Sequence, residues 1–257
     1  MYEPDFWIGS AMTQINYVVA CWAGPRRYMH PLQARDRQTF LKLHVQQLTC
    51  LEHKYLAQIT IVVNDYPDAV FDAYVDSLNG KVFRDVPVRV IRRPNRGMSY
   101  GAWSEAFAVG RDNFTHYIWI EDDYLFVHKR FDEELLQMMQ ISKCDYLCGL
   151  VSQPAGMRRH AAISNGIVSS HVLNRVWNKY GILPHAHSAN YTDNEAAGQI
   201  GMSQAIIDVG GKLGDFTEFG WSVPFSELGR IKIFGDPTGL TLIEPAENML
   251  KHSTQRK

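Results

Sequence analysis

Long apolar runs are missing from this chain of 257 residues: nowhere do about 18 hydrophobic residues stand together, so no segment has the length of a membrane-crossing helix. Met1 to Ser10 lacks a basic stretch followed by an apolar one, which argues against a secretory leader. The expectation is a cytoplasmic protein whose contact with a membrane, if any, is peripheral. An excess of charge of one sign is missing too. Lysine and arginine number 26 and aspartate and glutamate 27, a formal net charge of −1, and the basic residues form nothing larger than short runs such as Pro25-Arg26-Arg27. Nucleic acid, which calls for a basic stripe or patch, is therefore excluded as the main partner. Cysteine is sparse: Cys21, Cys50, Cys144 and Cys148 show no paired CxxC spacing of the kind a structural zinc site uses. In apolar surroundings they read as core thiols of a reducing compartment, although Cys144 and Cys148 could bridge in principle. Internal repeats and low-complexity segments are also lacking, so neither a solenoid nor a tract of biased composition enters the reading.

Apolar residues are plentiful, at 46% of the chain, enough for a sizeable core in one large α/β domain or two small ones. Gln14 to Cys21 is rich in β-formers and is stopped by Trp22-Ala23-Gly24-Pro25, so it reads as the first strand. Between Asp36 and His53 the residues Phe40, Leu41, His44, Val45, Leu48 and Leu51 recur at helical spacing, with Asp36 placed as an N-cap. A second apolar strand, Gln58 to Asn64, stops at Asn64-Asp65-Tyr66-Pro67-Asp68; a helix through Val70, Tyr74 and Leu78 follows, then a short strand from Val88 to Ile91. After Arg92-Arg93-Pro94-Asn95-Arg96-Gly97 comes a helix from Met98 to about Val109, with Ser99, Gly101, Ala102, Ser104, Ala106 and Ala108 keeping one side small. Strands alternating with helices predict a mostly parallel, doubly wound sheet. The second half reads less cleanly. It offers a helical stripe at Phe131, Leu135, Met138 and Met139, a strand from Asp145 to Val151, an apolar Ala162 to Val168, a helix from Val172 to Tyr180, another from about Asn194 to Val209, and a strand-like Arg230 to Phe234.

The most informative segment is His116-Tyr117-Ile118-Trp119-Ile120, a buried-strand pattern that ends abruptly in Glu121-Asp122-Asp123. In an open α/β sheet ligands bind at the carboxyl ends of the strands, so these acids would line a crevice. Like charges held together repel by roughly 1 kcal/mol per pair even in water, and more when partly desolvated. A divalent cation carrying a phosphorylated ligand would relieve that repulsion. The alternative is a solvated loop after an ordinary strand.

The order of these features resembles the GT-A glycosyltransferases of the family 2 type, which transfer a sugar from a nucleotide-diphosphate donor. The family's first strand and loop match Tyr17-Val18-Val19-Ala20-Cys21-Trp22, and its second strand with an acidic end matches Ile61-Val62-Val63-Asn64-Asp65. Its Asn-x-Gly turn before a small-residue helix matches Asn95-Arg96-Gly97 with Gly101-Ala102, and its DxD element matches Glu121-Asp122-Asp123. Thr192-Asp193-Asn194-Glu195 falls where the family carries an acidic motif opening a helix. The resemblance implies one GT-A (Rossmann-like) domain over 1–257, with a nucleotide-sugar half to about residue 125 and an acceptor half beyond, a UDP-sugar or other nucleotide-sugar donor, a carbohydrate or other hydroxyl acceptor, and Mn²⁺ or Mg²⁺.

The implied roles fall on particular residues. Asp123 is the metal ligand, and the ion would act as Lewis acid and template for the leaving diphosphate. Glu121 stands where the family has aspartate, so it binds ribose hydroxyls or reaches the ion through water. Asp122 belongs with the nucleotide-sugar contacts although it points to the other side of the strand end, its competing role being a helix or loop cap. Asp65 or Asn64 accepts from the base or ribose, unless the pair only shapes a turn before Pro67. Ala20 and Trp22 of the first loop, with Asn95 and Gly97, close over the nucleotide, and Arg93 and Arg96 offer guanidinium forks to phosphate or base, or are solvated. Inverting transfer needs a base, and Asp193 takes that role, its competing role being a helix cap. His185, His187 or His252 could join the metal or be surface polar groups. Trp177, Tyr191, Phe219 and Trp221 could stack on a sugar or pack in the core, and Gly166 after Ser164-Asn165 falls where an acceptor-side loop would be. A sugar nucleotidyltransferase shares this layered sheet, but Ala20-Cys21-Trp22-Ala23-Gly24 is not its Gly-rich, Arg-containing loop. The remaining alternative is a non-catalytic binding module with the same fold, for which Glu121 in place of aspartate is the hint.

Overall fold

The computed structural model describes residues 12–24, 38–126 and 128–221 in full and 232–234 as backbone. Its centre is an eight-stranded, mostly parallel sheet. β1 (Ile15–Trp22) lies at the heart of it, paired in parallel with β2 (Leu56–Asn64) on one side and β5 (His116–Glu121) on the other. β2 pairs in parallel with β4 (Val86–Arg93), which carries the two-residue β3 (Val82–Phe83) antiparallel at the edge. Beyond β5 lie β8 (His160–Ser169), antiparallel to it, then β7 (Tyr146–Ser152), and last β9 (Leu213–Asp215), parallel to β7. The chain thus leaves β1 toward β2 and β4 and returns to place β5 on β1's other flank. This reversal opens a crevice at the carboxyl ends of β1 and β5, where ligands of such sheets bind.

Helices cover both faces, and the strands explain why. β1 is buried along nearly its whole length, as a central parallel strand must be. Its alternate residues enter two cores. Ile15, Tyr17, Val19 and Cys21 pack with Leu41 and Leu48 of α1 (Thr39–Cys50), Phe71 and Val75 of α2 (Ala69–Leu78), and Phe131 and Leu135 of α4 (Phe131–Ser142). Val18 and Ala20 face Ala102, Trp103 and Phe107 of α3 (Met98–Gly110), Val172 and Val176 of α5 (Ser170–Tyr180), and Met202 and Ile206 of α7 (Gly201–Asp208). Asp68 caps α2 by accepting from the Phe71 N–H at 2.9 Å, and Ser169 caps α5 by accepting from Val172 at 3.3 Å. α1 starts after Gln38; Asp36, its expected cap, lies outside the described residues. All four cysteines are free, including Cys144 and Cys148. Among the described residues no helix is long and apolar enough to cross a membrane.

Several elements differ from expectation, the short β9 among them. The β3–β4 hairpin turns on Arg84 and Asp85, both left-handed at φ 46° and 68°, without the glycine or asparagine that usually marks such a turn. β6 (Tyr124–Phe126) follows the acids directly and pairs in parallel with β10 (Lys232–Phe234) in a separate two-stranded sheet. The helix expected from Asn194 begins earlier, as the single turn α6 (Tyr191–Asp193), and runs as a π-helix over Asn194–Ile200 before α7. Gly198 sits in that wide segment against Tyr100, where a Cβ would come within 2.6 Å of the ring.

Candidate active site

Three strand ends set one wall of the crevice. Trp22 is in register with Asn64, and Asn64 with Arg93, so β1, β2 and β4 finish in one row. The Arg93 guanidinium donates to Asn64 Oδ1 at 2.6 Å and to the Arg96 carbonyl at 2.7 Å, while Asn64 Nδ2 donates to the Met98 carbonyl at 3.3 Å. Both side chains are buried, Asn64 3% and Arg93 8% exposed, so they act together as a clamp on the turn over Asn95, Arg96 and Gly97. Burial lowers the Arg93 pKa, with Glu105 and Asp65 pulling it back up. Gly101 makes room for the clamp: a Cβ there would lie 2.0 Å from the Arg96 carbonyl and 2.7 Å from an Arg93 nitrogen. Asp65, by contrast, is exposed; its N–H donates to the Arg93 carbonyl at 2.8 Å. Arg96 is exposed as well, and Asn95 is half-buried. The Trp22 ring lies over Gly24 and meets Tyr66 edge-on at 6.0 Å.

The acid turn forms the centre. Ala20 is in register with Glu121, and its carbonyl accepts the Asp122 N–H at 3.1 Å, so Ala20 contributes backbone to the site. The Glu121 N–H donates to Asn165 Oδ1 at 2.6 Å. Asp122 is buried, whereas Glu121 and Asp123 on either side of it are partly open. His44 of α1 is buried and shares a 2.7 Å hydrogen bond with the Tyr17 hydroxyl. Burial drives its pKa down to about 3, against an opposing pull from backbone groups of Asp122 and Tyr124, so the imidazole near the turn is neutral at pH 7. Among the described residues no three His, Cys, Asp or Glu side chains converge as a metal-binding set. The donor set still fits Mg²⁺ or Mn²⁺ held by one or two carboxylates and completed by phosphate oxygens and water, the usual manner for Mg²⁺.

The late loop closes on the first half of the chain through Gly97. The Gly97 N–H donates to the Ser188 carbonyl at 2.7 Å, and the Ser188 hydroxyl donates to Asp193 Oδ2 at 2.6 Å. Gly97 is left-handed at φ 71°, and a Cβ would fall 2.7 Å from the Ala186 carbonyl, so both conformation and space require glycine. The capping role considered for Asp193 belongs to Asn190, whose side chain accepts from the N–H groups of Thr192 at 2.8 Å and Asp193 at 3.4 Å. Asp193 is exposed and its second carboxylate oxygen is not engaged by Ser188. His185 packs against Gly97 with Nδ1 on the Leu183 carbonyl at 2.9 Å, and its ring lies 6.1 Å from that of His187. His252 lies outside the described residues. Among the aromatic candidates, Trp177 packs against Phe107 and under Arg111, Trp221 is buried against Phe126 and Phe216, and Phe219 packs at the core's edge. Tyr191, two residues before Asp193, is 57% exposed.

Sequence reading did not single out His44, Ser188 or Asn190 as site residues, and it met Asn165 only as a neighbour of Gly166 in an expected acceptor-side loop. Asn190 had a signal available, an Asx residue just before a helix; the other three are recognisable only once the strands and loops are brought together.

No family model matches this sequence, and a comparison with curated proteins gave no match. Among solved structures, the crystal structure of 4-diphosphocytidyl-2C-methyl-D-erythritol synthase from Anaerococcus prevotii resembles the chain at 9% identity and a TM-score of 0.49, over 95% of this chain and 97% of that one. A likeness at that level carries no weight for function.

Proposed function

We propose that the protein is a glycosyltransferase of the GT-A kind, which moves a sugar from a nucleotide-diphosphate donor, UDP-linked in the favoured case, to a carbohydrate hydroxyl with inversion. One observation supports this above the others: the Gly97–Ser188–Asp193 chain of hydrogen bonds ties the exposed carboxylate of Asp193 to the Asn-x-Gly turn at the strand ends. Residues about a hundred positions apart in sequence thus serve one crevice, as a base and a donor site must in a direct displacement.

In this reading Asp65 accepts from the base or ribose, Trp22 and the Asn95–Gly97 turn flank the nucleotide, and Asp123, with Glu121 beside it, holds Mn²⁺ or Mg²⁺. A cation held there would supply Lewis acidity to the leaving diphosphate. Asp193 takes the proton of the acceptor hydroxyl while that oxygen attacks the anomeric carbon; the nucleoside diphosphate leaves from the opposite face. Ser188 holds one oxygen of Asp193 and leaves the other for the proton.

Two incubations with Mn²⁺ test this: UDP-sugars with hydroxyl acceptors, followed by UDP release, and nucleoside triphosphates with sugar phosphates, followed by pyrophosphate release. UDP release that depends on Mn²⁺ is the expected result. Pyrophosphate release from a nucleoside triphosphate and a sugar phosphate would mark a nucleotidyltransferase instead, and binding without either product would mark a binding module.

A further inference from the structure

The antiparallel ladder between β5 and β8 runs from His116 opposite Ser169 to Trp119 opposite Gly166 and stops there. Past that point β5 carries the acids, and β8 no longer follows it. The reason lies on β8's other edge. Its pairing with β7 steps from Cys148 opposite Gly166 to Leu150 opposite Ile163, so Ser164 and Asn165 together face the single residue Gly149. This is a β-bulge, a device that re-aims side chains and is common beside active sites. The bulge is firmly held. The Tyr146 hydroxyl donates to the Ser164 carbonyl, the Tyr100 hydroxyl is hydrogen-bonded to the Ser164 hydroxyl, and Ser164 Oγ donates to the Ala161 carbonyl at 3.0 Å. Gly166 is pressed onto β7, where a Cβ would lie 2.1 Å from the Leu147 carbonyl. The result is that Asn165, only 2% exposed, directs its Oδ1 to the Glu121 N–H. A side-chain amide does there what a strand carbonyl would do in a longer ladder.

We propose that Asn165 is a positioning residue for the acid turn: the bulged strand uses its buried amide to fix the Glu121 backbone, and so the direction in which the Glu121 and Asp123 carboxylates meet a cation–diphosphate ligand. The proposal rests on the reading of the acid turn as the cation and diphosphate site. The amide is suited to this because it accepts a hydrogen bond without charge. An aspartate at 165 would accept equally well but would add a fourth negative group to three that already repel.

The test has two arms. The first is hydrogen exchange of the Glu121 amide, followed by NMR; the second is calorimetric binding of UDP with and without Mn²⁺. Asn165→Ala should abolish protection of the Glu121 amide and weaken Mn²⁺-dependent UDP binding about 10- to 100-fold, the usual effect of losing a partner one layer behind a metal ligand, while UDP alone binds as before. Asn165→Asp, nearly isosteric, keeps the acceptor and guards against the possibility that the alanine variant fails to fold. It should restore protection of the Glu121 amide and, with it, most of the Mn²⁺-dependent increment in UDP affinity, a joint rescue by the conservative variant that a merely structural role elsewhere would not produce. A Glu121 amide still protected in Asn165→Ala, or cation-dependent affinity unchanged after protection is lost, overturns the proposal. Should the unaltered protein bind no UDP with Mn²⁺, the reading of the site fails, and the proposal fails with it even if the exchange arm finds Asn165 holding the turn.

Discussion

Asp193 and Asp65 make different claims on the chemistry, and single substitutions separate them. A general base contributes typically about 10²–10⁴-fold to rate, so Asp193→Asn should cut turnover by that order and leave donor affinity nearly unchanged. Since Asn190 is the residue that caps this helix, the substitution should also leave thermal stability near the starting value; an undiminished rate would remove Asp193 from the role of base. Asp65→Ala should weaken UDP binding by about 1–3 kcal/mol through loss of a charged acceptor, measured by calorimetry, and an unchanged dissociation constant would leave Asp65 a turn residue only. At this scale the structure leaves Asp65 and Asp193 exposed and Asp123 partly open, as acids expected at a ligand site would be. Asp65, Asp123 and Asp193 stand out in the sequence because carboxylates at strand or helix ends have few apolar explanations, and their roles rest on the substitutions above. Asn64 and Arg93 carry the same polar signature, yet the structure pairs them with each other in the interior. A buried partner 29 residues away cannot be told from a ligand contact by residue type alone.

The strands and helices that build the crevice were legible to different degrees for physical reasons. β1, β2 and β5 announce themselves as continuous apolar runs because both their faces are covered. β3, β6 and β9 were missed because two- and three-residue strands have no period to detect, and β3 also because the Arg84–Asp85 turn uses neither glycine nor asparagine. The π-helix over Asn194–Ile200 was invisible for another reason: Gly198 is small for the sake of Tyr100, a residue from a different helix. α3 offers a test of such close packing. Gly101→Ala would gain about 1 kcal/mol in helix propensity but force a Cβ against the Arg96 carbonyl, where overpacking costs typically about 1–3 kcal/mol. A lower urea midpoint at unchanged m-value is the expected net result, accompanied by weaker nucleotide binding as the Arg93 clamp opens. A more stable variant would mean that the clamp does not depend on Gly101.

At the scale of the whole molecule, a pH dependence of stability is expected from two histidines, His44 in the core and half-buried His116 at the start of β5. His44 and His116 have their pKa values lowered by burial from 6.5 to about 3 and about 4. In the unfolded chain both take up protons as pH falls through 6.5, whereas the folded protein does so only at those lower values. The stability these neutral rings allow is therefore complete above pH 6.5 and is lost progressively as pH falls toward 4 and then 3, by up to about 1.36 kcal/mol per pH unit for each histidine. Urea unfolding at pH 7 and pH 4.5 should record the loss, and His44→Gln, with no ring to titrate, should lose less between the two; equal losses in both proteins would place the pH dependence elsewhere. The account as a whole depends on one claim, that the strand ends bind a nucleoside diphosphate through a cation on Asp123. Calorimetric titration of UDP into the protein and into Asp123→Asn, each with and without Mn²⁺, tests it most directly. The account predicts that Mn²⁺ strengthens UDP binding to the unaltered protein and that the variant, folded as before, loses this increment while keeping its affinity for UDP alone. An increment of the same size in both proteins, or no binding of UDP under any of the four conditions, would contradict it.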